Sequence, residues 1–466
     1  MDAVDEELRP RDRAARAEEA RQTAARLHAE GAGGVLLTWV DNAGVTRVKG
    51  VPTLRLEHAA AWGVGASPVF DVFLVDDSAT SGRFLGGPVG DLRLLPDLDR
   101  AVPLAAQPGW AWAPVDRYDQ DGTPHPGCQR LFARRMAERA RARGLELRCA
   151  FEVEWVAALA GAPDEDPVPP VPGAAYGMDR VIGLSDCLRD LLRALDEQGV
   201  AVHQLHPEYA AGQYELSVAA EDPVAAADTC VLVRQTVRAV SARHGLRVSF
   251  APAVEAGRVG NGGHLHLSPW RDGANLCHGG PGPYGLTAEG EAFLAGVLAE
   301  LPALTAVGAP GPASPLRLVP DRWAGAYRCW GRENREAALR LVTGSAGEEA
   351  EAANAEVKCF DGSANPYLAV GAVIAAGLAG ADAGLTLPPE VRGDPAAPPE
   401  PGSGPAPERL PQTAAEALAR FEDSAVLREA MGEVLHDTFR AVRQAEARLF
   451  AGAAPDQVAA ATRWRY

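Results

Sequence analysis

No two of the seven cysteines stand in a Cys-x-x-Cys spacing, and they are scattered between Cys128 and Cys359. A zinc ribbon is thereby excluded, and an odd, dispersed set does not read as a disulfide framework, so a reducing cytoplasm is the expected setting. Positive charge is short as well: 45 Lys and Arg face 62 Asp and Glu, a net charge of −17. Non-specific binding to nucleic acid needs the opposite balance, so no nucleic-acid partner is expected. The acidic start, Met1 to Glu7, has no apolar stretch and does not read as a signal peptide. No Gly-x-x-x-x-Gly-Lys-Ser/Thr loop and no kinase motif set occurs, which removes the usual P-loop and protein-kinase scaffolds. Ala364 to Ala381 carries no charge over a length that could span a bilayer. It is mostly Ala and Gly and opens with Asn365-Pro366, a helix entry, so it reads as a closely packed core helix, and no membrane is expected as a partner.

What is present suits two domains: 466 residues, 47% of them apolar. Residues 5–30 are charged, Ala-rich and helix-compatible. Two β-like runs, Val35–Val40 and Val45–Val51, flank a turn at Asp41–Gly44 and predict a hairpin. Short runs at Phe70–Val75, Leu92–Leu95 and Trp110–Trp112 continue the pattern. The expected organisation is an N-terminal helix (1–32), a small unit (33–122) and a larger one (123–466), in the α+β class. Cys128–Gly144 predicts a helix with Leu131, Phe132 and Met136 inward. Leu145–Ala158 reads as one strand, whose alternation puts Glu152 and Glu154 on a common face. Ala162–Gly173 reads as a loop, and Ser185 as the cap of a helix ending at Gly199. Val200–Leu205 and Leu246–Ala251 read as strands around a long helix, Asp222–Gly245. Another apolar-faced helix covers Glu289–Val307, a loop covers 387–411, and two helices, Thr413–Phe421 and Ser424–Phe450, finish the chain. No internal repeat is visible.

The chemistry concentrates between His206 and Ser268, which opens with His206-Pro-Glu208 and Gln213-Tyr-Glu215 and closes with Gly260-Asn-Gly-Gly-His264-Leu-His266-Leu-Ser268. Carboxylates mixed with imidazole suit a hard or borderline divalent cation. Two like charges at Glu152 and Glu154 are costly unless a cation neutralises them. Glu356 and Lys358 repeat the two-apart layout, an acid and a base on one face. Six arginines from Arg317 to Arg340 form a local basic contrast in an acidic protein, fit either for phosphate and carboxylate or for a surface salt-bridge cluster. Two or more divalent ions beside guanidinium groups fit ATP chemistry.

Read in order, the series Phe-Glu152-Val-Glu154, Glu208-x4-Gln-x-Glu215, Gly260-x-Gly-x-His264-x-His266-x-Ser268, Arg317-Leu-Val-Pro, Asn334-Arg335-x4-Arg340 and Glu356-Val-Lys358 resembles the glutamine synthetase family. The resemblance runs from about Val35 to the C-terminus. It implies a β-grasp-like N-terminal domain, a larger catalytic domain and stacked rings, often dodecamers, with active sites between subunits. It further implies that Glu154, Glu208 and Glu215 hold one Mg²⁺ or Mn²⁺ and that Glu152, His264 and Glu356 hold another. His266, Ser268 and Arg340 would contact ATP, and Gly260, Arg317, Arg335 and Lys358 would hold glutamate and its acyl phosphate. Glu208, Arg335 and Lys358 would act in the reaction itself.

Three departures bear on the nucleophile. Family members that use ammonia carry Arg-Leu-Val-Pro-Gly-Tyr-Glu-Ala-Pro, whose glutamate helps bind ammonium; here Trp323 stands at that place. The family's Phe-Asp-Gly-Ser-Ser segment appears as Gly63-Val-Gly-Ala-Ser67, without the acid, and Lys358 replaces an arginine. The combination is similar to the γ-glutamyl amine ligases of the family, which act on polyamines, ethanolamine or monoamines. The expectation is a glutamate–amine ligase whose amine exceeds ammonia in size and meets Trp323 and Ser67. True glutamine synthetase and a ring-forming homologue without catalysis remain as alternatives. The family's adenylylation tyrosine motif is not recognisable near Leu385–Val391.

Overall fold

Six strands between residues 34 and 118 hydrogen-bond into one sheet: β1 (Gly34–Val40), β2 (Thr46–Pro52), β3 (Val64–Ala66), β4 (Leu92–Pro96), β5 (Val102–Pro103) and β6 (Trp110–Tyr118), in the order β2-β1-β6-β4-β3 with β5 against β6. The chain is seen as a computed structural model that describes residues 8–164, 167–398 and 406–466. Residues 1–7 of the expected N-terminal segment, 165–166 of the expected Ala162–Gly173 loop and 399–405 of the expected 387–411 loop lie outside them. The predicted hairpin forms with Val40 opposite Thr46, and Asp41 closes its turn by accepting the Ala43 and Val45 amides at 2.9 Å each. Helix Arg13–Ala29 begins at Asp12, whose carboxylate accepts the Ala14 and Ala15 amides, and buries Ala20 and Leu27 against Val35, Leu37 and Leu94. The expected β-like run Phe70–Val75 is instead a 3₁₀ turn, Pro68–Val72. Pro68 has no amide hydrogen for a ladder, and the Ser67 hydroxyl accepts the Val69 amide to start the turn.

Two further sheets carry the chemistry. One, in the order β11-β8-β10-β9, joins β8 (Val153–Leu159), β9 (Val202–Pro207), β10 (Gln213–Val218) and β11 (Leu246–Ser249). The other joins β7 (Glu146–Phe151), β12 (Leu265–Arg271), β13 (Ala274–Asn275), β14 (Tyr327–Arg332), β15 (Ala337–Val342), β16 (Asn354–Val357) and β17 (Glu408–Arg409). The single strand expected over Leu145–Ala158 is therefore two strands in two sheets. β7 pairs with β12, β8 pairs with β10 and β11, and the change of partner falls at Glu152. Alternation along one strand is thus not what relates Glu152 to Glu154.

Beneath the sheets lie two apolar helices, Ala288–Gly308 and Pro366–Ala383. Both are long and apolar enough to cross a membrane, yet 78% of each apolar stretch is buried inside the protein. They approach at Gly296 and Gly380: a Cβ on Gly380 would lie 2.4 Å from the Ala292 carbonyl oxygen. Asn365 begins the second helix by accepting the Tyr367 and Leu368 amides, and its side-chain amide donates to the Val40 and Asp41 carbonyls, bolting the N-terminal sheet to the core.

Other elements differ from expectation in detail. Ser185 is the first residue of helix Ser185–Glu197 rather than its cap, because a short helix, Met178–Gly183, runs into Leu184 just before it. The C-terminal helices are Ala414–Asp423 and Ala425–Leu449, and a third, Pro455–Thr462, follows them. All seven cysteines are free and buried.

Candidate active site

Between the two sheets of the larger part opens a cavity of ≈ 1000 Å³. Glu152 enters it from the junction of β7 and β8, Glu154 from β8, Glu208 and Glu215 from either side of the β9–β10 turn, and Glu356 from β16. His264 sits at the mouth of β12, after the glycine turn, where a Cβ on Gly262 would collide with the His264 ring and Glu154. Only glycine lets the backbone pass so close to those groups.

Two groups of ligating atoms result. Glu152, His264 and Glu356 bring theirs within 4.8 Å of one another, and so do His206, Glu208 and Glu215. In the first group His264 Nδ1 lies 3.0 Å from both Glu152 Oε2 and Glu356 Oε1. Lys358 Nζ and Arg340 Nη1 each donate to Glu356 at 3.0 Å. Burial alone would raise the Glu356 carboxyl, but Lys358, His264 and His266 hold it well below the usual range. Burial and Lys358 pull the His264 imidazole down, yet its bonds to Glu152 and Glu356 prevail and raise it. His266 is half-buried, which pulls its imidazole down, but Glu152, 3.1 Å from its Nε2, lifts it to about 9. His264 and His266 thus both reach Glu152.

In the second group burial pushes Glu215 up to about 7; His206 opposes that shift, while the carboxylates of Glu152, Glu154 and Glu208 add to it. His206 rises to about 9, chiefly through its bond to Glu215. The Tyr176 hydroxyl donates to Glu208, 2.7 and 2.8 Å from its two oxygens. Crowded carboxylates that can persist only by borrowing protons or imidazolium charge are a donor set for divalent cations of the Mg²⁺ or Mn²⁺ kind. Glu154 faces the same cavity, with its Oε2 accepting from Gln213 Nε2 at 2.8 Å, and the compact second group contains His206 in addition to Glu208 and Glu215.

Arg317, Arg322, Arg335 and Arg340 line the cavity, whereas Arg328 donates to the Leu298 carbonyl and Arg332 stacks over Tyr284. Arg317 Nη2 holds His264 Nε2 at 3.0 Å, and its Nη1 is buried with no partner among the described residues. Such an orphaned guanidinium nitrogen is a seat for an anion. Gly260 and Trp323 also line the cavity. His266, Ser268 and Ser67 do not line it within one chain: His266 Nδ1 lies 2.8 Å from Asn354 Oδ1, Ser268 accepts the Trp270 indole N–H at 2.8 Å, and Ser67 caps its 3₁₀ turn.

Several lining residues were not singled out from sequence. His206 could have been, since it stands two before Glu208 as Glu152 stands two before Glu154. Tyr176, Tyr209, Asp321, Glu336 and Asp394 come from loops or follow an arginine, and no spacing marks them.

A pair of carboxylate–imidazole nests beside a guanidinium rim defines a site for activating a carboxylic acid with ATP, the work of an ATP-dependent carbon–nitrogen ligase. The chain belongs to the glutamine synthetase family: the model of the glutamine synthetase catalytic domain matches residues 126–460. It is 58% identical to the γ-glutamylpolyamine synthetase GlnA3 of Streptomyces coelicolor over 459 residues, 98% of either chain. Identity to the glutamine synthetase of Methanocaldococcus jannaschii is 29%, over 80% of this chain and 82% of the other. Among solved structures, a novel glutamine synthase homolog superposes with a TM-score of 0.81 at 34% identity, over 92% of this chain and 97% of that one. An ADP complex of GmaS gives 0.80 at 26% identity, over 92% and 96%.

Proposed function

We propose that the chain joins the γ-carboxylate of glutamate to an amino group of a polyamine, by way of γ-glutamyl phosphate. The observation that carries this reading is the mouth of the cavity. Trp323 occupies the place of the family's ammonium-binding glutamate and meets Tyr209 edge to face at 6.0 Å, with Asp321, Glu336 and Asp394 lining the same cavity. Aromatic faces amid carboxylates recognise an organic cation, which ammonia does not need. The similarity to a γ-glutamylpolyamine synthetase supports the same substrate class.

In this reading Glu152, His264 and Glu356 hold one Mg²⁺ or Mn²⁺, and Glu208 and Glu215, with His206 and Glu154 beside them, hold a second. When bound, the cations offset the negative charge of the ATP phosphates and of the transferring phosphoryl group. Arg317, Lys358 and the Gly260 backbone seat glutamate; Arg335 and Arg340 face ATP. A γ-carboxylate oxygen attacks the terminal phosphorus, and the bond to ADP breaks. A neutral amine nitrogen then attacks the acyl carbon, the carbon–oxygen bond breaks, and phosphate leaves with the amine's surplus proton. Activation is required because a carboxylate is a poor electrophile. We further propose assembly into a ring in which Ser67 reaches the site of a neighbouring subunit, measurable as the mass in solution.

The test is phosphate release with ATP and glutamate across ammonia, ethanolamine, monoamines, diamines and polyamines at equal concentration and pH. Diamines and polyamines are expected to give the highest kcat/KM. Ammonia as the best nucleophile would overturn the reading.

A further inference from the structure

The family's ammonium-binding acid is missing at Trp323, yet an incoming amine still arrives as a cation. Three acids line the outer cavity, and they are not equivalent: Asp321 and Asp394 are exposed, while Glu336 is drawn inward. Glu336 Oε1 accepts the Trp323 backbone amide at 2.8 Å. That amide belongs to a residue with φ of 52°, left-handed backbone that a bulky side chain rarely adopts. Glu336 Oε2 is shielded from solvent and has no hydrogen-bond partner among the described residues. A carboxylate oxygen in that condition is costly unless a donor visits it. Glu336 makes no ion pair among the described residues, although the cavity it lines also holds Arg317, Arg322, Arg335, Arg340 and Lys358.

We propose that Glu336 positions the amine: Oε2 receives the cationic nitrogen of the substrate while Oε1 keeps Trp323 beside it. The proposal rests on the amine-ligase reading and adds to it a residue for the step after activation. The ammonium gives one proton to Glu336 Oε2 and becomes a neutral amine. Its lone pair forms the carbon–nitrogen bond as the carbon–oxygen bond to phosphate breaks. The surplus proton on the new amide nitrogen leaves with the phosphate, and Glu336 later returns its proton to water. Burial of Glu336, with Asp321 and Asp394 nearby, raises its affinity for that proton.

Glu336→Gln isolates the charge, because an amide oxygen still accepts the Trp323 N–H. With 1,4-diaminobutane its KM is expected to rise about ten-fold or more, while the KM values for ATP and glutamate stay at wild-type level. Hydroxylamine, largely neutral at pH 7, should still yield γ-glutamyl hydroxamate at close to the wild-type rate, and Glu336→Asp should restore part of the amine affinity. An unchanged KM for the diamine, or parallel loss with hydroxylamine, overturns the proposal. Should the wild type prefer ammonia, the polyamine reading fails, but the same comparison run with ammonium still decides the role of Glu336. Calorimetric binding of 1,4-diaminobutane in the presence of ADP reads the contact without turnover: equal affinity in wild type and Glu336→Gln counts against it.

Discussion

The Tyr176 hydroxyl lies within reach of both oxygens of Glu208 and so fixes where that carboxylate points. Partners of this kind, one shell removed from a cation, commonly govern affinity by 10- to 100-fold. Tyr176→Phe is therefore expected to raise the apparent Mg²⁺ requirement by about ten-fold or more. Its thermal unfolding without added cation should match the wild type. Titration of activity against Mg²⁺ checks this; an unchanged requirement would detach Tyr176 from the site. At this scale many of the residues that meet in the cavity were legible in advance. The acids and His264 were found because each sits in a short motif of fixed spacing. Tyr176 was not, because it lies past a Pro-rich loop whose path is set by contacts elsewhere in the chain. Glu336 was hidden by its neighbour, since Arg335 already accounted for that stretch.

Among the elements, the crossing of helices Ala288–Gly308 and Pro366–Ala383 depends on missing side chains. A methyl at Gly380 meets the Ala292 carbonyl at 2.4 Å, backbone that cannot swing aside. Gly380→Ala is expected to cost about 1–3 kcal/mol by overpacking, whereas Gly161→Ala, with open space around it, should be near neutral. Urea unfolding midpoints compare the two. The hairpin turn offers a pH test. Asp41 is fully buried; burial outweighs its ion pair with Arg47 and raises its pKa from 3.8 to about 6. An acid raised on folding lends stability below its ordinary pKa and loses it as pH climbs through the raised value. Wild type should therefore lose ground to Asp41→Asn between about pH 4 and pH 6; a constant difference in midpoint would contradict this. The hairpin, the long helices and the apolar uncharged helix could all be read from periodicity and turn residues. The division of Leu145–Ala158 could not, because an unbroken apolar alternation carries no mark of which sheet each half will join.

For the molecule as a whole, cation binding should appear as stability. A ligand that binds only the folded chain at 100 times its dissociation constant contributes about 2.7 kcal/mol. Protein stripped with a chelator is expected to melt at lower temperature and to recover with Mn²⁺ or Mg²⁺, and Glu356→Ala should recover less; thermal scans in both states check it. Glu152 adds something further. It is the one residue between two ladders, tied by its amide to the His264 carbonyl at 3.0 Å, and its carboxylate reaches His264 and His266 across the gap. An ion held there would rivet one slab of the molecule to the other at their shared hinge. Deuterium uptake should then slow on both sides of residue 152 together, so that occupancy of the cleft could be followed from the backbone of the two strands that meet there.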